Sequence, residues 1–422
     1  MKETLYIYAD FDFLKSPELI GSLHYDRVRG RETYSFEFDK NWLLSHKSIV
    51  LSADLQNYSG LQYAEENIFG CFADALPDRW GRTLIKRREL IEAQEENRAV
   101  KNLSHYDFLV GIDDFSRMGG LRFCEKQGGE FINSSTKFQI PPITSLRELL
   151  HAADEIEKSE NLSQLPDKKW IAQLIKPGTS LGGARPKACV IDKKGNLTVA
   201  KFPSRNDDYD VGLWEHFCCL LAKNAGINVA ETRIIDTGQK YHTLLSRRFD
   251  RDVNGRRIHF ASSLTMLGFQ DGDGSRTGKG YLDIVDFILQ NGGNVTSDLK
   301  QLFARVAFNI CVGNCDDHFR NHGFLLTKSG WQLSPAYDLN PSLSYDHAIM
   351  LTDYTNRSDL QMLYNNCESY MLEPPKAKEI IQRVCDAISD WRQLAVRLQI
   401  SKAEMEMFGK RFEEGCNIKY GL

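Results

Sequence analysis

Residues 4–10 (TLYIYAD) and 33–39 (TYSFEFD) alternate apolar and polar positions, the period of a strand with one buried face. Between 64 and 92 the pattern changes. There FADALPDRWGRTLIKRREL predicts a turn at Pro77-Asp78 feeding a helix. The first 125 or so residues thus read as a small α+β module. Residues 125–142 (EKQGGEFINSSTKFQIPP) are rich in Gly, Ser, Asn and Pro and read as a linker. Beyond it, Ser145 and Glu148 have the spacing of a capping box opening a helix to about Glu157.

A second pattern starts near 170. The glycine-rich stretch KPGTSLGGARPK (176–187) leads into ACVI, a turn at Lys194-Gly195-Asn196, and LTVAKFP (197–203), which predicts a hairpin entered through a glycine loop. A helix is predicted from Tyr209 to Ala225, stopped by Gly226, and strands at 232–236 and 241–250 complete a small sheet. The remainder is mostly helical. Leu302, Phe303, Val306, Ala307, Ile310 and Cys311 share one helical face, as do Ile380, Ile381, Val384, Ile388, Trp391 and Leu394. Ser401 and Glu404 form a further capping-box signature, and 270–280 (QDGDGSRTGKG) reads as a flexible loop. The domains expected are 1–138, 139–250 and 251–422.

Composition adds limits rather than detail. The chain has 422 residues, 42% hydrophobic and 26% charged, with a net charge of −4, so no broad basic field calls for nucleic acid as the main partner. There is no signal-peptide pattern and no apolar run of membrane-spanning length, which points to a cytoplasmic protein without membrane contact. Several of the ten cysteines lie inside apolar stretches and read as reduced buried thiols. Cys311 and Cys315 have no second cysteine pair at zinc spacing, so no zinc site is expected.

The densest chemistry lies in GNCDDHFRNHGFLLTKSGWQLSPAYDLNPS (313–342). Phosphoryl transfer needs a carboxylate to orient the attacking hydroxyl and hard oxygen ligands for magnesium. It also needs a lysine and backbone N–H groups at the phosphates. Asp316 and Asn321 are five residues apart, the kinase spacing of base and metal ligand, and a hairpin over 323–338 would return Asp338 beside Asn321. Asp317 is expected to face solvent, and His318 to brace the loop by a hydrogen bond. A metal-hydrolase reading would use Asp316, Asp317, His318 and His322 as ligands, but it leaves Asn321 and the upstream motifs idle.

Those upstream motifs fit the same chemistry. Lys201, late in a strand, is placed to reach phosphate, with Glu215 on the next helix as its expected partner. In TSLGGARPK (179–187), Gly182 and Gly183 allow close backbone approach, so Ser180, Ala184, Arg185 and Lys187 can frame an anion nest. The order of residues is not that of a Walker loop. Lys187 either sits near phosphate or caps the turn. In SRRFDR (246–251), Arg247 and Phe249 occupy the place of an adenine hinge.

With these residues placed, the sequence resembles the HipA family, the serine/threonine-kinase toxins of bacterial type II toxin–antitoxin systems. LPDRWGR (76–82), TSLGGARPK, VAKFP, SRRFDR and the N-x-D-x-H-x-x-N … L-S-P-x-Y-D pattern carry the resemblance in the family's order. It implies a bilobal protein-kinase-like α+β fold: a small β-rich N-lobe, an all-helical C-lobe and an additional N-terminal module. It also implies Asp316 as the catalytic residue, Asn321 and Asp338 as Mg2+ ligands, and Lys201 at the ATP phosphates. Ser180 would be the autophosphorylated serine. A HipB-like helix-turn-helix antitoxin would be the partner, with operator DNA bound mainly through it, and an aminoacyl-tRNA synthetase is the kind of protein target implied. GARPK in place of GAQEK, and Arg247 in place of an acidic hinge residue, depart from the family pattern. The competing functions are a small-molecule kinase of the aminoglycoside or choline type and a non-catalytic nucleotide-binding partner of a repressor.

Overall fold

The structure is a computed structural model that describes residues 2–65, 68–134, 140–159, 167–175 and 183–417. The chain forms two compact units, Met1–Asn206 with Leu245–Ala261, and Asp207–Leu244 with Ser262–Leu422. Among the described residues no helix is long and apolar enough to cross a membrane.

The first unit is built on an antiparallel sheet of β1 (Lys2–Ala9), β2 (Glu18–Val28), β3 (Arg31–Phe38), β4 (Gln62–Tyr63) and β5 (Leu121–Cys124), ordered β4-β3-β2-β1-β5. The alternation seen at 4–10 is real: Leu5, Ile7 and Ala9 are all fully buried. The predicted helix runs Arg79–Glu95. Asp78 is its N-cap and accepts the Gly81 N–H at 2.7 Å. The stretch read as a linker begins as part of the module. The Ile132 N–H bonds the Phe123 carbonyl at 2.8 Å, and the Gly128 N–H bonds the Tyr8 hydroxyl at 2.8 Å. The helix after it, Leu146–Lys158, is entered through a 3-10 turn at Ile143–Ser145, so Ser145 makes no capping bond and the expected box does not form.

The hairpin predicted after the glycine loop is β6 (Lys187–Ile191) and β7 (Leu197–Lys201), paired in register from Lys187↔Lys201 to Ile191↔Leu197. Ile140, Cys189, Leu197 and Val199 form its small apolar core.

The second unit holds the Val211–Asn224 helix, β8 (Thr232–Ile235) and the C-terminal helices. The strand expected at 241–250 is shorter, β9 (Thr243–Arg247), and most of it, like most of β10 (Phe260–Ser262), belongs to the first unit. The helical body is not free of strands, because the hairpin β11 (Gly323–Thr327) and β12 (Gly330–Leu333) lies within it. Trp214 packs on Phe408 at 4.8 Å and Phe412 stacks on Trp391 at 5.1 Å. Each buried phenylalanine contributes roughly 1.5–3 kcal/mol. At Ser401 half of a capping box forms. Its hydroxyl accepts the Glu404 N–H at 3.2 Å, while Glu404 reaches the Asp210 N–H at 2.9 Å. The 270–280 loop is held by Ser275 N–H to the Ala348 carbonyl at 2.8 Å and by Lys279 to Asp273 at 2.6 Å.

Candidate functional site

The Val295–Val312 helix ends at Gly313, whose φ of 71° is the left-handed conformation that lets the chain leave the helix axis. The two aspartates that follow are sorted oppositely. The Asp316 side chain is 80% exposed, whereas Asp317 is 1% exposed. The solvent-facing role expected of Asp317 is therefore wrong. Its Oδ2 accepts the Tyr281 hydroxyl at 2.5 Å and the His347 Nδ1–H at 2.7 Å, and its Oδ1 accepts the Ala348 N–H at 3.0 Å. A carboxylate only accepts, which fixes the proton on His347 Nδ1. The chain of bonds continues from Tyr281 to Asn309 (3.0 Å) and Asn314 (3.0 Å), and from His347 Nε2 to Ser358 (2.9 Å).

This buried frame holds the exposed acid in place. The Asn321 amide donates to the Asp316 carbonyl at 2.7 Å, which leaves its Oδ1 as the amide's hard oxygen. The Tyr337 hydroxyl donates to the Arg320 carbonyl at 2.7 Å, tying the Asp338 turn to the 316–321 loop. Asp338 itself sits at φ 54°, a left-handed conformation few non-glycine residues adopt. Its neighbours Tyr337 and Leu339 line the same polar recess as Asn321 and Asp317. An amide oxygen and a carboxylate are donors that suit magnesium.

The brace expected of His318 comes instead from His322, whose Nε2 lies 3.2 Å from the Asp317 carbonyl. The His318 imidazole is half-exposed, 3.8 Å from the Asp316 carboxylate. With Asp317 and His322 both committed to the frame, the four-ligand hydrolase arrangement does not form. Burial pushes His322 in this unit and His259 in the other down from 6.5 to about 3, with Arg305 adding to the effect at His322. Both stay neutral when folded but take up a proton near 6.5 when unfolded. Stability is thus complete above about pH 6.5 and falls as pH drops from there toward 3, by about 1.4 kcal/mol per pH unit for each imidazole. Urea midpoints at pH 7.5 and 5.5 check this. A midpoint that does not move would contradict it, and His322→Gln should remove the share of the second unit.

In the first unit the loop positions Ser180 and Gly182 lie outside the described residues. Gly183 and Ala184 are exposed, and Arg185 reaches the Phe202 carbonyl at 3.5 Å. Lys187 and Lys201 are directly opposite across β6 and β7, so both side chains leave the same face. Lys187 is 2% exposed and binds the Asp78 carboxylate at 3.1 Å and the Gly183 carbonyl at 3.0 Å. LPDRWGR and GGARPK thus meet in a buried ion pair that no sequence spacing reveals. Asp78→Asn keeps a capping acceptor but strands the buried ammonium. It is expected to lower the stability of this unit by about 3–5 kcal/mol, read as a lower denaturant midpoint with the helix retained.

SRRFDR is used on both sides. Arg247 reaches Asn196 at 3.2 Å, and the half-buried Phe249 ring lies 5.9 Å from Phe260. Arg248 and Asp250 alternate to the other side and form a buried bidentate pair, 2.6 Å at each contact. Asp250 also accepts from Arg251 at 2.6 Å and from the Gly119 N–H at 2.8 Å. Burial alone would raise this carboxyl, but Arg248 and Arg251 more than offset it and hold it below its ordinary range. The segment is therefore also an anchor to the N-terminal module. Glu215 is buried in its helix.

Family models match two stretches, the HipA N-terminal domain over residues 13–107 and the HipA-like C-terminal domain over 179–392. The Shewanella oneidensis serine/threonine-protein kinase toxin HipA is 28% identical over 222 residues, 47% of this chain and 50% of that protein. A Haemophilus influenzae relative with a provisional kinase name is 26% identical over 198 residues, 42% of this chain and 57% of that one. The matched chain spans only about half the length of these curated relatives. A solved complex of Shewanella oneidensis HipA with HipB and operator DNA has the same fold, with a TM-score of 0.61 at 18% identity over 98% of this chain and 95% of that one.

Proposed function

Because the chain belongs to the HipA family, we propose that it is an ATP-dependent serine/threonine protein kinase acting as the toxin of a toxin–antitoxin pair. The observation that carries this reading is the pairing of an exposed Asp316 with Asn321, whose side-chain amide donates to the Asp316 backbone carbonyl at 2.7 Å, together with the left-handed Asp338. Asp316 orients the substrate hydroxyl and takes its proton. Asn321 Oδ1 and the Asp338 carboxylate hold Mg2+, which when bound neutralises charge on the ATP phosphates. Lys201 would contact those phosphates, and Ser180, Gly182, Gly183, Ala184 and Arg185 would form the loop over them, with Lys187 anchoring the end of that loop through its ion pair with Asp78. Arg247 and Phe249 flank the adenine. His318, next to Asp316, faces the nucleotide.

The same reading makes Ser180 a site of autophosphorylation, an aminoacyl-tRNA synthetase a candidate target, and a HipB-like helix-turn-helix antitoxin the partner. Operator DNA would be engaged mainly through that antitoxin. Incubation of the full chain with Mg-ATP, followed by peptide mass measurement, is expected to show one added phosphate on the peptide containing Ser180. Chelation of magnesium is expected to abolish it. Transfer to a small alcohol or aminoglycoside without self-labelling would point to a metabolite kinase, and nucleotide binding without any transfer to an inert partner of a repressor.

A further inference from the structure

Three cysteines far apart in sequence meet in the second unit. Cys311 lies in the last turn of the Val295–Val312 helix, Cys385 in Pro374–Ser389, and Cys416 caps Lys402–Gly415. Their sulfur atoms all lie within 4.8 Å of one another. Cys311 is buried and the other two are half-buried, so the cluster is reachable from its Cys385 and Cys416 side. The approach is built into the backbone. A Cβ on Gly415 would stand 2.1 Å from the Cys311 carbonyl oxygen, so only glycine lets the last helix come close enough to bring Cys416 beside Cys311.

We propose that Cys311, Cys385 and Cys416 form a binding site for a single thiophilic d10 cation, with zinc as its probe. The donor set is sulfur only, and soft thiolates select Zn2+ and Cu(I) over the hard ions that suit Asn321 and Asp338. Zinc–thiolate bonds of about 2.3 Å place three sulfurs about 3.8 Å apart, so small side-chain rotations close the site. Each thiol gives up its proton to solvent as it becomes a ligand. A bound ion would staple the C-terminal helix to the helix that delivers Asp316. The proposal does not depend on the kinase reading.

The test uses the full chain kept reduced with a phosphine. Titration with Co2+ is expected to give a thiolate-to-cobalt charge-transfer band that saturates at one equivalent, and Zn2+ should displace it and raise the unfolding midpoint. Cys385→Ser and Cys416→Ser should each abolish the band, while Cys124→Ser in the first unit leaves it unchanged. Two variants are used so that a folding defect in one does not decide the result. Absence of the band in the unmodified chain overturns the proposal. So does a band that survives both serine substitutions.

Discussion

Asp316→Asn is expected to abolish phosphate transfer while leaving the fold intact. The carboxylate is 80% exposed, so little of it is withdrawn from water and the unfolding midpoint should stay within about 0.5 kcal/mol of the parent. Asparagine cannot accept the proton of a substrate hydroxyl. A positioned general base supplies about 10²- to 10⁴-fold, so self-labelling and transfer to any protein target should fall by at least that much. The measurement is the labelling rate at saturating Mg-ATP beside a denaturant curve on the same sample. A variant that still labels at the parental rate would remove Asp316 from the chemistry, and with it the reading of the loop.

One residue further on, the expected result is the reverse. Asp317→Asn should cost about 3–5 kcal/mol of stability in the second unit, with any loss of transfer following from that. Asp317 accepts three donors, from Tyr281, His347 and the Ala348 backbone. Asparagine has one acceptor oxygen and an NH2 group, so at least one of those buried donors would face another donor. Tyr281→Phe, which removes a single hydroxyl, should cost less, about 1–3 kcal/mol including the Asn309 amide it leaves unpaired. Urea unfolding followed by a probe in this unit separates the two. Equal midpoints for Asp317→Asn and the parent would mean that the buried frame does not hold the loop.

These neighbouring aspartates show how far the residues alone could be read. The D-x-x-x-x-N spacing is local, and the Gly313 exit from the helix puts the pair at a loop whatever the rest of the chain does. Which aspartate is buried is not local. It depends on Tyr281, His347 and Ala348, each some thirty residues away in sequence, and an isolated Asp-Asp dipeptide carries no mark of that. The same limit applies to Lys187. Its place at the end of a glycine loop was legible, but its buried partner Asp78 belongs to another motif altogether. SRRFDR suggested a hinge because Arg247 and Phe249 were considered alone. The alternate residues Arg248 and Asp250 have an equally definite use, which becomes visible only once the 113–122 segment lies against them.

What the amino-acid sequence determined by itself is whatever depends on neighbours along the chain: strand and helix periods, the β6–β7 and β11–β12 turns, the Pro77-Asp78 turn that feeds a helix, and the order of motifs that marks the family. Tertiary structure alone decided which charges are buried together, which thiols meet, and which of two identical side chains in a row faces water. The physical reason is that backbone periodicity and capping act over a few residues. Desolvation and pairing of a buried charge depend on every element packed around it, and those elements arrive from distant parts of the chain.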